Sequence, residues 1–295
     1  MFLTVCLNPT LQKTLHFPSV IRNAVNRTSN HRLDVSGKGI NVTRVLTQLG
    51  SEVLHLTHLG GVMKPLFFSL CEQDNLPVEW VESNSDIRFC YTVINESDSS
   101  VTEFVEESDA VCAETENLLI HKFSSLINNS SVKCFVISGT KAAGYSDAVI
   151  PAMVQRAKEK GLKIILDIKG NDLTESLKYE PDVIKPNLEE FMQTFKIDPD
   201  NLNVFVLELA QKYRCRVILT NGSRSILAAD CAGNNFFEVD IEPVKAVNTI
   251  GCGDAFTAGL ASALTAGDDN FKAAINEGIR CGALNAGLVR PGVIK

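Results

Sequence analysis

The sequence predicts an α/β fold: a central, mostly parallel sheet with helices on both faces, plus a small β-sheet attached to it. Three observations carry that expectation. Short uninterrupted apolar runs, the pattern of strands buried on both faces, recur along the chain. Between them lie stretches of helical periodicity that stop at glycines, so the units are strand–helix–strand and the sheet is parallel. One region, from Arg88 to Glu107, breaks the alternation with two β-type segments and no helix between them.

In chain order, Phe2-Leu3-Thr4-Val5-Cys6-Leu7 reads as the first strand, and Lys13 to Arg32 lacks helical periodicity. Val42, Val45, Leu46 and Leu49 form the apolar stripe of a helix ending at Gly50. Arg88–Asn95 and Val101–Glu107 flank the polar turn Glu96-Ser97-Asp98-Ser99-Ser100 as a hairpin, with which the Lys13–Arg32 segment can pair. Buried strands follow at Cys134–Ile137, Lys163–Asp167, Asp182–Lys185 and Arg216–Thr220, with Gly161 closing the helix before the second. Residues 1–12, 36–87 and 108–295 are thereby assigned to an α/β core, and 13–35 and 88–107 to the small sheet. That sheet is suited to be a lid over a site; a decorative excursion or a dimer contact alone are its other readings. Ligands of such folds sit at the carboxyl ends of the strands, which singles out Asn8, Thr140, Asp167, Asn187 and Thr220.

Composition narrows the function. With 295 residues, 45% of them apolar and 21% charged, the chain can build a well-packed core of one large domain or two smaller ones. A formal net charge of −7 argues against a general nucleic-acid or membrane-surface binder, and an anionic ligand then needs local cations and backbone N–H groups. The nine cysteines include no CxxC pair and no metal-ligand spacing with histidine, as expected of reduced thiols in a cytoplasmic protein. Met1 leads straight into the first strand, with no basic n-region and no long apolar run, so neither a signal peptide nor a membrane span is expected.

The densest motif is Asn248-Thr249-Ile250-Gly251-Cys252-Gly253-Asp254-Ala255-Phe256, at the start of an amphipathic helix. Gly251 and Gly253 let backbone N–H groups converge where the helix adds its positive end, which suits an anion. Asp254 is placed to take a proton from a hydroxyl lying there, the pairing that phosphoryl transfer to an alcohol requires. A glycine turn with an aspartate in the first helical turn is the plain alternative. Cys252 has no histidine near it in sequence and serves as a small space-filler. Ser36-Gly37-Lys38-Gly39-Ile40-Asn41 precedes a helix: its glycines allow close backbone approach to a ligand, and Asn41 can donate to and accept from sugar hydroxyls. Asn187 and Glu190, just past Pro186, share a face of a first helical turn and can hold a hydrated Mg²⁺, or act simply as partners of the helix dipole. Thr220-Asn221-Gly222-Ser223 can hold phosphate oxygens, and Arg88 can bind phosphate bidentately or be a solvated strand-edge charge. Neither GxxxxGK[ST] nor GxGxxG is present.

Taken in order, SGKGIN, KPNLEE, TNGS and NTIGCGDAF resemble the ribokinase/PfkB carbohydrate kinase family over essentially the full chain. Cys6-Leu7-Asn8-Pro9, Arg88, Thr102-Glu103-Phe104 and Ser138-Gly139-Thr140 are most similar to its phosphosugar branch, which includes 1-phosphofructokinase and tagatose-6-phosphate kinase. The resemblance implies a ribokinase-like fold and transfer of the ATP γ-phosphoryl group to a primary hydroxyl of a ketohexose phosphate. It makes Asp254 the base, with anion-hole amides from Gly251, Cys252 and Gly253. Gly39 and Asn41 would hold sugar hydroxyls, with Gln12 beside them, and Arg88, Thr140 and Lys38 would meet the sugar's phosphate. Thr220, Gly222, Ser223 and Ser225 would line the ATP site, Lys185 and Asn187 would face the nucleotide, and Glu190 would organise Mg²⁺ through water. It also implies a homodimer clasped through the lid.

Three positions depart from that branch. Gln12 stands where the TLNPAxD pattern carries a carboxylate, Val105 where it carries asparagine, and Thr140-Lys141-Ala142 replaces the end of SGSLP. Fructose 1-phosphate is the first substrate expected, followed by tagatose 6-phosphate or fructose 6-phosphate. The altered sugar side also allows a non-catalytic sugar-phosphate sensor, from which the retained Asp254 distinguishes an enzyme.

Overall fold

The structure, a computed structural model, describes residues 1–129, 131–233, 235–267 and 270–295. In chain order its strands are β1 (Phe2–Cys6), β2 (Thr10–Phe17), β3 (His31–Ser36), β4 (Val53–Leu59), β5 (Val78–Glu82), β6 (Arg88–Asn95), β7 (Ser100–Val105), β8 (Cys134–Ser138), β9 (Lys163–Asp167), β10 (Val183–Ile184), β11 (Arg216–Thr220), β12 (Ser225–Asp230) and β13 (Asn235–Asp240). The α-helices are α1 (Lys38–Gln48), α2 (Lys64–Gln73), α3 (Ala113–Asn129), α4 (Val149–Glu159), α5 (Gly170–Ser176), α6 (Leu188–Phe195), α7 (Leu202–Lys212), α8 (Cys252–Thr265) and α9 (Phe271–Ala286).

Nine strands form the main sheet in the order β13-β12-β11-β10-β9-β8-β1-β4-β5. Neighbours from β11 through to β5 are parallel, and β12 and β13 close one edge antiparallel. This is the mostly parallel sheet expected, and its central strands β1, β8 and β9 are largely apolar because helices cover both faces. β8 shows the consequence: Cys134 and Val136 enter one core with α1, α8 and α9, while Phe135 and Ile137 enter the other with α3, α4 and α7. After β1 the chain builds outward to β4 on one side, and later returns to place β8 on the other. The carboxyl ends at this reversal are where a crevice forms in such sheets.

The four remaining strands make a separate small sheet in the order β3-β2-β6-β7. β2 pairs β6 in parallel, which the intervening α1, β4, α2 and β5 make possible, and β6–β7 is the expected hairpin. A third core joins this sheet to the main body: Leu11, Val35, Ile40, Leu59 and Phe67 are fully buried together.

Three details differ from expectation. The second hairpin strand runs Ser100–Val105 rather than Val101–Glu107, and the Asp182–Lys185 run contributes only Val183–Ile184 to the sheet. β4 was not singled out in the sequence because histidines interrupt its apolar run. Both are interior: His55 Nδ1 lies 2.9 Å from Thr4 Oγ1 and 3.1 Å from Thr43 Oγ1, and burial holds its pKa down at about 3.

Gly39 explains how α1 sits on β1. A Cβ there would lie 2.7 Å from the Val5 carbonyl oxygen and 2.9 Å from Cys6 Cβ, so backbone, not a flexible side chain, would have to move. Gly39→Ala is therefore expected to destabilise the fold by ~1–3 kcal/mol, read as a lower urea midpoint at unchanged slope.

Candidate active site

The first turn of α8 is built around Gly251. Its φ of +83° is left-handed, and a Cβ would meet the Gly292 amide and Pro291 at 3.0 Å, so conformation and space both call for glycine. The Cys252 N–H donates to the Thr249 carbonyl at 3.3 Å. That leaves the N–H groups of Gly251 and Gly253 without a protein acceptor among the described residues. The Cys252 side chain packs beside Asn285, whose Nδ2 lies 3.5 Å from Sγ, as a space-filler does.

Asp254 follows in the same turn, 5% exposed, and its Oδ2 accepts from Asn41 Nδ2 at 2.8 Å. Burial raises the Asp254 carboxyl to about 6; Lys38 and the Asn41 hydrogen bond pull it down, and Asp167 pushes it further up. A carboxylate tuned to that range is charged at neutral pH yet basic enough to accept a proton. Asn41, expected to hold sugar hydroxyls, lines the same cavity; its amide nitrogen also donates to Asp254, and its oxygen accepts from Arg44 Nη1 at 3.0 Å.

Below Asp254 lies a buried ion pair that the sequence pattern did not assign. Lys185 Nζ stands 3.2 Å from Asp167 Oδ1, and each side chain is 3% exposed. Asp167 Oδ2 accepts from Ser138 Oγ at 2.8 Å and from Thr257 Oγ1 at 3.1 Å, which ties the ends of β8 and β9 to α8. Burial pushes Asp167 up, but Lys185, Lys38 and these hydrogen bonds outweigh it and hold the carboxyl below its usual value. Lys38, at the start of α1, is half exposed; chiefly Asp167, then Asp254 and Glu190, raise its ammonium above the usual lysine value against the effect of burial. Asp167 was legible only as a polar residue ending a strand; its partners come from elements far apart in the chain.

One cavity of about 370 Å³ contains Asp254, Gly251, Gly253, Lys38, Lys185 and Asn187 together with Thr10, Gln12, Arg88 and Glu103 of the small sheet. It thus brings both sets of predicted residues together. Gln12 is engaged inside that sheet: Nε2 donates to Thr92 Oγ1 at 2.5 Å and Glu103 Oε1 at 3.2 Å, and Oε1 accepts from Ser36 Oγ at 2.9 Å. Arg88 Nη1 donates to the Glu106 carbonyl at 3.0 Å, while its buried Nε has no hydrogen-bond partner among the described residues. Arg88 also reaches a smaller hollow of about 150 Å³, shared with Asn8, Lys38, Thr140, Lys169 and Glu190. Gly37 and Lys38 line the cavity; Gly39 is packed against β1 instead. Lys141 is turned aside, 2.6 Å from Asp172 and 2.9 Å from Asp147.

A second cleft, of about 690 Å³, opens on the other side of the α8 N-terminus. Asn187, Thr220, Gly222 and Ser223 line its polar end, and Ile226, Ile241, Val244 and Ile279 its apolar part. A flat aromatic base with a phosphate tail suits that division. Ser225 is buried on β12, where its carbonyl accepts from the Asn221 N–H and closes the turn; it does not line the cleft. Asn187 and Glu190 cap α6 reciprocally: Asn187 Oδ1 accepts from the Glu190 N–H at 2.8 Å, and Glu190 Oε2 from the Asn187 N–H at 3.1 Å. Glu190 Oε1 is left facing Lys169 at 3.4 Å and Lys38 at 3.9 Å.

The model of the pfkB family carbohydrate kinases matches residues 10–290. The chain belongs to this family. As a pfkB-family protein it is a phosphotransferase acting on a sugar hydroxyl, and membership implies ATP as the phosphoryl donor. Solved structures share its fold. Escherichia coli phosphofructokinase-2 in complex with fructose-6-phosphate aligns at TM-score 0.85 and 23% identity, over 97% of this chain and 93% of that one. A possible 1-phosphofructokinase from Thermotoga maritima aligns at TM-score 0.88 and 20% identity, over 98% and 92%. The tetrameric inhibited form of the Escherichia coli enzyme aligns at TM-score 0.85 and 23% identity, over 97% and 93%.

The donor set of this pfkB-family kinase fits a divalent cation held chiefly by phosphates. Among the described residues no cluster of three or more His, Cys, Asp or Glu could chelate a metal directly, while Glu190 offers one carboxylate oxygen at the edge of the 370 Å³ cavity. A hydrated Mg²⁺ needs no more than that from protein.

Asp254 also links the site to stability. Its carboxyl titrates at about 6 in the folded state against 3.8 for the ordinary group, so the folded protein holds the extra proton between those values. The stabilising effect of the bound proton is full below pH 3.8 and is lost as pH rises through about 6. Asp254→Asn is therefore expected to be more stable than wild type by ~1–3 kcal/mol at pH 8, a gain that shrinks toward pH 4; urea unfolding across that range checks it.

Proposed function

We propose that this pfkB-family protein is a Mg-ATP-dependent phosphosugar kinase that phosphorylates a primary hydroxyl of a ketohexose phosphate, with fructose 1-phosphate as the substrate and 1-phosphofructokinase as the activity. The observation that carries this reading is one cavity shared by a buried carboxylate, two acceptor-free amides and an arginine. Asp254 lies beside the N–H groups of Gly251 and Gly253, and Arg88 reaches the same space from the small sheet. Tagatose 6-phosphate and fructose 6-phosphate are the alternative substrates.

The geometry supports the following roles. Asp254, charged above about pH 6, accepts the proton of the attacking hydroxyl. The N–H groups of Gly251 and Gly253, with the positive end of α8, stabilise charge on the phosphoryl group in transit. Glu190 would hold the water shell of a bound Mg²⁺, which would supply neutralisation of phosphate charge. Thr220, Gly222 and Ser223 receive the nucleotide phosphates, while Arg88, Thr140 and Lys38 hold the phosphate already on the sugar. The small sheet acts as the lid, and its exposed Ile21, Val25, Phe104 and Val105 support a homodimer clasped through it. The acidic composition supports a cytoplasmic enzyme.

The sensor reading draws on Gln12, an uncharged amide already satisfied by Thr92, Glu103 and Ser36. ADP release with fructose 1-phosphate, fructose 6-phosphate, tagatose 6-phosphate and free fructose separates the two. Turnover on one phosphosugar is expected, with kcat reduced ~10²–10⁴-fold in Asp254→Asn. Binding of ATP and phosphosugar with no ADP above that variant establishes the sensor. Arg88→Ala is expected to raise KM for the phosphosugar ~10–100-fold and leave KM for ATP unchanged; equal effects on free fructose would remove Arg88 from phosphate recognition.

A further inference from the structure

Behind Asn41 lies a buried cluster of charges that the roles above do not use. Arg44, on α1 one turn after Asn41, is 4% exposed and makes four donations. Nη1 reaches Asn41 Oδ1 at 3.0 Å and the Pro291 carbonyl at 3.2 Å, Nη2 the Val35 carbonyl at 2.6 Å, and Nε Asp74 Oδ2 at 3.1 Å. Arg290 then bridges Asp74 to Asp34, with Nε 2.8 Å from Asp34 Oδ1. The guanidinium is thus held by α1, β3, the end of α2 and the C-terminal segment at once.

We infer that Arg44 is a positioning residue for the phosphoryl-transfer site, setting which way the Asn41 amide faces and thereby holding the Asp254 carboxylate as an acceptor. Guanidinium has five donors and no acceptor, so the atom of Asn41 that meets it must be Oδ1. Nδ2 is then forced to the opposite side, where it donates to Asp254 Oδ2 at 2.8 Å. An amide turned the other way would set oxygen against carboxylate and nitrogen against guanidinium, both repulsive. The C-terminal segment closes the arrangement: a Cβ on Gly292 would lie 2.9 Å from Asn41 Cα, and the Gly292 N–H donates to Asn285 Oδ1 at 2.7 Å. The Asn41 backbone is thereby held close against the C-terminal segment.

The inference rests on Asp254 being the base, and its test is read first on the carboxyl itself. The other groups facing Asp254 are Lys38 from α1, Asp167 from β9, Lys185 after β10, Cys6 from β1 and Cys252 in its own turn. None is altered by replacing Arg44. In Arg44→Gln the new amide can accept as well as donate, so Asn41 is no longer forced. The Asp254 carboxyl midpoint, followed by ¹³C NMR in the unliganded protein, is expected to rise from about 6 by ~1 unit, a tenfold change in proton affinity. kcat at pH 6.5–7 should fall in step, with the acidic limb moving the same way and KM for ATP unchanged. Asp74→Asn is the control: it breaks the ion pair but leaves the donation to Asn41, and should lower Tm without moving the midpoint.

An unmoved midpoint in folded Arg44→Gln overturns the proposal, as does an equal shift in Asp74→Asn. Should Arg44→Gln fail to fold, wild type still decides: the Asn41 side-chain amide resonances must titrate with the Asp254 midpoint, and amide signals indifferent to it overturn the proposal. A wild-type protein silent on every phosphosugar, but with the midpoint shift intact, would sink the kinase reading alone.

Discussion

A single hydrogen bond, from Asn41 Nδ2 to Asp254 Oδ2 at 2.8 Å, joins the first turns of two helices that are 213 residues apart in the chain. Much of the site depends on it. α1 and α8 pack on the same face of the sheet, and the bond brings their N-terminal ends to one point. Two helix N-termini so placed make a positive region that favours anions. The carboxylate between them is the neutralising partner of that region, and in the proposed reaction it is the proton acceptor.

The charges around that point are nearly balanced. Asp254 and Asp167 are buried; Lys185 pairs with Asp167, and Lys38 stands half exposed above both. Burial dominates at Asp254 and raises it, whereas lysines and hydroxyl donors dominate at Asp167 and lower it. Two carboxyls in one pocket are thereby pushed in opposite directions, one kept ionised as scaffold and one raised to about 6, the division the proposed proton transfer needs. The scaffold member also connects β8, β9 and α8, so Asp254 stands on a floor tied to the sheet.

The two sides of the site have different origins. The 690 Å³ cleft is built from loops after main-sheet strands and from the α8 turn. The 370 Å³ cavity borrows Thr10, Gln12, Arg88 and Glu103 from the small sheet, which is joined to the body through the apolar cluster of Leu11, Val35, Ile40, Leu59 and Phe67. On the proposed assignment of nucleotide to the cleft and sugar to the cavity, substitutions in that sheet change substrate identity and leave phosphoryl transfer in place. Gln12 and Val105 lie where such a change acts; Gln12 is satisfied by neighbours within the sheet, so its amide shapes the pocket through Glu103, Thr92 and Ser36.

The fold class, the strands at Cys134, Lys163 and Arg216, the hairpin and the Asp254 turn were legible from residue order, because apolar runs, glycine stops and glycine-flanked helix starts are local signals. The ordered motifs likewise identified the family. β4 escaped because His55 and His58 look polar in a sequence, although the hydroxyls around His55 let it be buried neutral. Ser225 looked like part of a phosphate loop, but strand pairing turned it inward. Asn41 could be recognised as a polar residue opening a helix; that it faces Asp254 with Arg44 behind it could not. Those contacts span hundreds of residues, and no spacing rule encodes them. Burial decides them: a guanidinium and a carboxylate enclosed together must satisfy every donor and acceptor, and only the packed helices and the C-terminal turn specify which partners are available.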